Sequence, residues 1–244
     1  MMFYIKEEFE KELCDICRRG GLPQYGGERV QKLFTICEIL DERSKSFNLT
    51  AITEPWAVVR KHIADCLYFA EALRCEGAKS LIDVGSGAGF PSLPTAAVLP
   101  DTAVTALDST AKKVAYMKEC AAAAGISNFD GIAGRAEVAA HTALRESFDA
   151  AGARAVASLR VLLELCTPFV RVGGTFIAMK GAAALEEAEE AKSAAKALGC
   201  ELAECRQYFI PDLEEKRFLL IYRKISPVKA MHPRNYSQIT KKPL

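Results

Sequence analysis

The 244-residue chain is 50% hydrophobic and 26% charged, with a formal net charge of +1. Those proportions suit a soluble globular protein of one large domain, or one domain with an appendage. No uninterrupted apolar run is long enough to span a bilayer, and the opening residues MMFYIKEEFEKEL lack the apolar core of a secretion signal. Nine cysteines at irregular spacing are then expected to be reduced thiols buried as small hydrophobes, in a cytoplasmic protein.

Residues 1–76 read as a helical extension. A first amphipathic helix carries Ile5, Phe9, Leu13 and Ile16 at helical spacing and stops at Gly20-Gly21. Cys14 and Cys17 form a C-x-x-C inside it, but no second cysteine pair follows and only three histidines exist to complete a tetrahedral set, so no metal is expected. A second helix, with Val30, Leu33, Phe34, Cys37 and Leu40 on one side, ends near Ser46. After the link NLTAITEP a third begins around Trp56, with proline tolerated in its first turn, and carries Val59, His62, Ile63, Leu67 and Ala70.

From Ala78 the rhythm changes, and residues 77–224 read as an α/β domain. Strands are expected at SLIDVG (80–85), AVTALD (103–108), FDGIAG (129–134), ARAVAS (153–158) and GTFIAMKG (174–181). Helices fit between them at 91–99, 110–125, 135–145, 160–171 and 183–198, the alternation of a doubly wound sheet. The runs CELAECRQYFI (200–210) and RFLLIYRK (217–224) are joined by PDLEEK, too short for a crossover helix, and should pair antiparallel. Residues 225–244 form a basic arm. From Arg223 onward the chain carries Arg223, Lys224, Lys229, Arg234, Lys241 and Lys242 and no acid, while Pro227, Pro233 and Pro243 point to an extended course packed on or near the site.

The stretch DVGSGAGFP (83–91) is the first candidate for chemistry. Its glycines are Gly85, Gly87 and Gly89, and Phe90 stands where the dinucleotide fingerprint wants a third spaced glycine. No Lys-Ser/Thr pair completes a P-loop. Asp83 falls at the carboxyl end of the first strand, where open α/β sheets bind ligands. Asp108 ends the second strand, where a carboxylate can take both hydroxyls of a ribose. An adenosine without pyrophosphate fits this set best, which is S-adenosylmethionine. The competing readings are that Asp83 caps the turn and Asp108 caps the helix after Ser109. An antiparallel hairpin closing a parallel sheet also leans toward a methyl-transfer fold.

The motifs NLTAI (48–52), HIADCL (62–67), DVGSGAGFP (83–91), DSTAKK (108–113), GRAE (134–137), ARAVASL (153–159), GG…MKG (173–181) and KKPL (241–244) occur in register over nearly the whole chain. In them the sequence resembles the GidB/RsmG-type 16S ribosomal RNA methyltransferases. The resemblance implies a class I, Rossmann-like, seven-stranded S-adenosylmethionine-dependent methyltransferase fold with an N-terminal helical extension. It implies methyl transfer to N7 of a guanine in the decoding region (530 loop) of 16S rRNA, naked or in a ribosomal particle. Cofactor contacts are implied from Gly85, Phe90, Ala136, Glu137 and Arg154; Asp83, Gly87, Gly89 and Asp108 follow from general methyltransferase anatomy. The chain departs from the family at Ser92 and Thr95, beside the turn, at Cys66 and at Ser237.

Guanine N7 has a free lone pair, so the chemistry asks for positioning and no general base. Arg154, near the carboxyl edge of the fourth strand, is the leading residue for aligning cofactor or base, with Lys180 at the end of the fifth; each has a structural salt bridge or a solvated strand end as its alternative. His62 and Asp65 share a helical face and either roof the site or pack as a pair. Cys166 has the apolar helical spacing of Leu162, Leu165 and Phe169 and reads as core, not as a nucleophile. No N/D-P-P-Y/F tetrapeptide follows the fourth strand, which argues against an exocyclic amine target. RNA contact is expected from the basic arm, with Arg217, Lys112 and Lys113 around the rim, and deletion of residues 229–244 is expected to weaken it. The alternatives are a methyltransferase with a small-molecule or protein substrate and a non-catalytic, cofactor-binding ribosome-assembly factor.

Overall fold

The structure is a computed structural model that describes residues 5–45, 49–52, 54–154 and 157–244. Helix α1 (Lys6–Gly20) has Glu7 and Glu8 in its first turn and Arg18 and Arg19 in its last, charges that oppose the helix dipole at each end. Gly21, at φ 69°, caps it by returning its N–H to the Cys17 carbonyl. Helix α2 (Glu28–Ser44) follows. Helix α3 (Pro55–Val58) starts with proline at its first position, and the Glu54 carboxylate accepts the Trp56 and Ala57 amides. It runs through a π-helical turn, Val59–Ala64, into α4 (Asp65–Cys75). Such widened turns re-aim side chains and recur at functional sites, and this one contains His62.

The sheet domain then runs β1 (Ser80–Val84), α5 (Ser92–Val98), β2 (Ala103–Asp108), α6 (Ala111–Ala123), β3 (Phe129–Ala133), α7 (Ala136–Ala139), β4 (Phe148–Arg154), α8 (Leu159–Cys166), β5 (Val170–Lys180), α9 (Ala184–Glu190), α10 (Lys192–Ala197), β6 (Cys200–Tyr208) and β7 (Arg217–Lys224). The strands form one sheet in the order β3-β2-β1-β4-β5-β7-β6. The first five are parallel; β7 pairs antiparallel with both β5 and β6, as the short link between β6 and β7 requires. Strand order reverses between β1 and β4, which opens a crevice at their carboxyl ends.

Each face of the sheet is covered. Phe9, Leu13, Leu33, Phe69 and Leu73 from the N-terminal helices share a core with Leu81, Val104, Ala150, Ile177 and Leu219. Leu162, Leu165 and Phe169 pack on the opposite face with Phe176 and Leu220. The extension is thus the cover of one sheet face and has no core apart from it.

Five sequence expectations are corrected. The fourth strand spans Phe148–Arg154, not 153–158; Ala155 and Val156 lie outside the described residues, as do Asn48 and the expected second-helix end at Ser46. Its sequence FDAAGAR is poor in β-branched residues because α4 lies on it: a Cβ at Gly152 would come within 2.6 Å of the Phe69 ring. The helix expected over 135–145 is only Ala136–Ala139, followed by turns. The fifth strand begins at Val170, four residues early, and the helix over 183–198 is two pieces meeting at Ala191. The proline-bearing arm is not extended throughout: it ends in helix α11 (Tyr236–Lys241), capped by the Asn235 side chain accepting the Gln238 amide at 3.0 Å.

That arm is fastened to the domain. The Arg145 guanidinium donates to the carbonyls of Val228, Lys229 and His232 at 2.8–3.1 Å. Glu164 on α8 is fully buried and accepts Arg234 through Nε at 2.8 Å, Nη2 at 2.6 Å and the backbone N–H at 3.0 Å. Burial alone would raise the Glu164 carboxyl, but Arg234 and then His232 hold it below the usual range. Ile239 of α11 is fully buried.

Candidate active site

A cavity of about 570 Å³ opens at the carboxyl edge of the sheet, where strand order reverses. Its walls come from the ends of β1 and β2, the turn after β3, the end of β4, the π-helical turn and α11.

The glycine turn makes the floor. Gly85, Gly87 and Gly89 all have positive φ, of 74°, 59° and 87°, a conformation that favours glycine. At Gly89 a side chain would also strike Leu93. Gly85, Gly87 and Phe90 line the cavity, whereas Gly89 lies behind it and shapes the turn. Asp83 is likewise off the wall: it is fully buried beneath the turn and accepts the Ser92 amide at 3.2 Å. Burial, partly offset by hydrogen bonds from Ser92 and Ser86, raises its carboxyl to about 6. Ser92 and Thr95 are fully buried in α5 and do not line the cavity.

Asp108 is on the wall, 8% exposed. One oxygen accepts the Gly87 N–H at 2.9 Å and the other the Thr110 N–H at 2.8 Å, so it fastens the turn to the next helix start. This geometry separates the cofactors left open by the glycines. A pyrophosphate would need the turn's amides, and here one is already held by an anion that would repel it. A neutral ribose meets no such repulsion and can use the acceptor capacity each oxygen retains. Ala136 and Glu137 line the wall beyond β3, next to the Asp108 side, with the Glu137 side chain 11% exposed and 3.8 Å from Arg135.

Arg154 ends β4 across β1 from Asp108. Its guanidinium lies 5.4 Å from the Phe90 ring centroid, and Phe90 stacks on His62 at 4.8 Å. Arg154 donates to the Lys61 carbonyl at 3.2 Å, Asp65 Oδ2 at 3.3 Å and His62 Nδ1 at 3.0 Å. An arginine is always a donor, so His62 accepts at Nδ1 and its Nε2–H donates to Thr50 Oγ1 at 2.9 Å. Burial, then the Arg154 charge, holds the imidazole down to about 3. Asp65, 2% exposed, also accepts Tyr208 Oη at 2.6 Å and pairs with Arg217 at 3.2 Å. Of the two, only His62 is on the wall; Asp65 lies off it, and the two side chains are joined through Arg154.

Lys180 is not in the cavity. Its ammonium is bound to Glu187 at 2.7 Å and the Ala157 carbonyl at 2.8 Å, because β5 ends under α9. Arg217 is occupied by Asp65, while Lys113 lines the cavity and Lys112 is exposed. Cys166 is fully buried with its thiol pushed up by burial, as a core residue should be. The nine cysteines are free thiols, and no group of side chains suited to a metal occurs among the described residues. Among the described residues no helix is long and apolar enough to cross a membrane. The sequence reading passed over Thr50, Thr110 and Tyr236 as wall residues. Thr50 lies in the quoted NLTAI motif, but nothing in the spacing around Tyr236 marks it.

Comparisons with known proteins agree with this geometry. Residues 29–219 match the GidB family, described as rRNA small subunit methyltransferase G. A Ribosomal RNA small subunit methyltransferase G from Clostridium perfringens strain 13 is 40% identical over 91% of this chain and 93% of that protein. The protein of the same description from Clostridium botulinum strain Alaska E43 is 37% identical over 97% of this chain and 99% of its own length. Among solved structures, a protein from Klebsiella pneumoniae described as an O-methyltransferase superposes with a TM-score of 0.58 at 12% identity, covering 91% of this chain and 100% of that one. That likeness shows the fold, a seven-stranded class I methyltransferase sheet. The chain belongs to the GidB family of small-subunit rRNA methyltransferases.

Proposed function

We propose that this protein transfers a methyl group from S-adenosylmethionine to N7 of a guanine in the 530 loop of 16S rRNA. The observation that carries the reading is the division of the cavity: a ribose-ready carboxylate on one side of β1, and on the other an arginine wall without a free base among the described residues. When bound, S-adenosylmethionine supplies an electrophilic methyl group on a sulfonium centre. Asp108 would hold the ribose hydroxyls, the turn at Gly85 and Gly87 would admit the cofactor close to the backbone, and Ala136 and Glu137 would flank the adenine.

An acceptor that must lose a proton needs a base beside it. On the Arg154 side His62 has both nitrogens engaged and stays neutral, and Asp65 is tied to two arginines and Tyr208. Guanine N7 asks for none, since its lone pair is free at neutral pH. Three of the five donors of Arg154 go to Lys61, Asp65 and His62, which leaves two to read O6, the acceptor beside N7. Asp65 offsets part of the Arg154 charge, which tempers its repulsion of a base gaining positive charge.

The test is transfer of labelled methyl to 16S rRNA or to small-subunit particles. Wild-type protein should label the RNA, and Arg154→Ala should lower kcat by about 100-fold as the acceptor loses its alignment. RNA binding without transfer would favour the non-catalytic assembly factor instead.

A further inference from the structure

We infer that Tyr236 is the stacking platform for the target base, held at the cavity mouth by the folded tail. This rests on the RNA methyltransferase reading above. Among the described residues three rings line the cavity: His62, Phe90 and Tyr236. The first two are stacked on each other and 9% and 4% exposed, and Phe90 also lies against Arg154, so neither ring is open to a base. Tyr236 is 40% exposed and has no ring partner among the described residues.

The tail places this ring and does not leave it to chance. Two residues earlier Arg234 is locked on buried Glu164, and the Pro233 carbonyl is 2.9 Å from His141 Nε2. Three residues later Ile239 is fully buried. Helix α11 packs on α8, and its Tyr236 lines the same cavity as Arg154. An enzyme that modifies a base in folded RNA must take the base out of its stack, and an aromatic face replaces the neighbours it loses. Tyr236 is placed to provide that face while Arg154 reads the base edge.

Wild type, Tyr236→Ala and Tyr236→Phe are compared for methyl transfer to small-subunit particles and, by calorimetry, for S-adenosylmethionine affinity. Base–aromatic stacking contributes about 1–3 kcal/mol, so Tyr236→Ala should lower kcat/KM for RNA by about 5-fold to about 150-fold. Tyr236→Phe should retain wild-type kcat/KM, and both variants should bind cofactor as wild type does. Unchanged kcat/KM in Tyr236→Ala would overturn the inference while leaving the methyltransferase reading intact. A parallel loss of cofactor affinity would also overturn it, by showing that the ring stacks on adenine. Wild-type protein that labels no RNA would sink both.

Discussion

Asp108 and His62 show how single side chains divide the work of the cavity. Asp108 reaches two backbone amides with its two oxygens, so its carboxylate is fixed before any ligand arrives. Asp108→Asn replaces one acceptor with a donor facing those amides and removes the charge. It should weaken S-adenosylmethionine binding by about 10-fold or more, a charged hydrogen bond being worth about 1.5–3 kcal/mol, as read by calorimetry. His62 makes a prediction in pH. Its folded-state value of about 3 lies below the usual 6.5, so below pH 6.5 the unfolded chain takes up a proton that the native protein refuses. Its contribution to stability is complete above 6.5 and is lost as pH falls toward 3. Asp83 acts oppositely: raised to about 6, it binds a proton in the native state between 3.8 and 6, and its contribution declines as pH rises through that window. Subtracting denaturant stabilities of His62→Gln from wild type isolates the histidine. The difference should change by up to about 1.4 kcal/mol per pH unit between pH 3 and 6.5, and be flat above it.

At the level of elements, the tail changes the expectation drawn from composition. Six cations and no acid suggested an extended basic arm near the site with its charges available to RNA. Arg223 is paired with Glu76, Lys224 is 1% exposed and bound to Glu146 and two carbonyls, and Arg234 is spent on Glu164. Only Lys229, Lys241 and Lys242 remain exposed. Deleting residues 229–244 would therefore strand a buried carboxylate, and breaking such a pair costs about 3–5 kcal/mol. Arg234→Ala should show that loss in thermal or urea unfolding. Changing Lys229, Lys241 and Lys242 to Glu should leave stability near wild type and lower RNA affinity, with a shallower dependence on salt. The same contrast explains what was legible in the sequence. Elements with a clean apolar rhythm, such as α1, β1, β2 and β7, fall close to where that rhythm puts them. FDAAGAR was missed because its small residues answer to Phe69 and α4, distant in sequence, and α11 because three prolines spoke for an extended course.

For the molecule as a whole, a near-neutral net charge concealed a cavity with a carboxylate on one side of β1 and arginine on the other. The glycine turn and Asp108 were readable because glycine conformation and strand-end position are local properties. The network of Thr50, His62, Asp65, Arg154, Tyr208 and Arg217 was not, since it joins the extension, β4 and the β6–β7 hairpin over sequence separations as long as that from Asp65 to Arg217. Lys180 went wrong for a different reason: its partner Glu187 is only seven positions on, but the strand pattern does not reveal that β5 ends under α9 and not at the cavity. Among the described residues that network leaves no free base on the Arg154 side of the cavity, and the proposed reaction suits it. The most direct measurement is to digest labelled 16S rRNA and identify the methylated nucleoside by mass spectrometry. The account predicts 7-methylguanosine from a single position in the 530 loop. A methyl group on an exocyclic amine or a ribose hydroxyl, both of which need a proton removed, would contradict it.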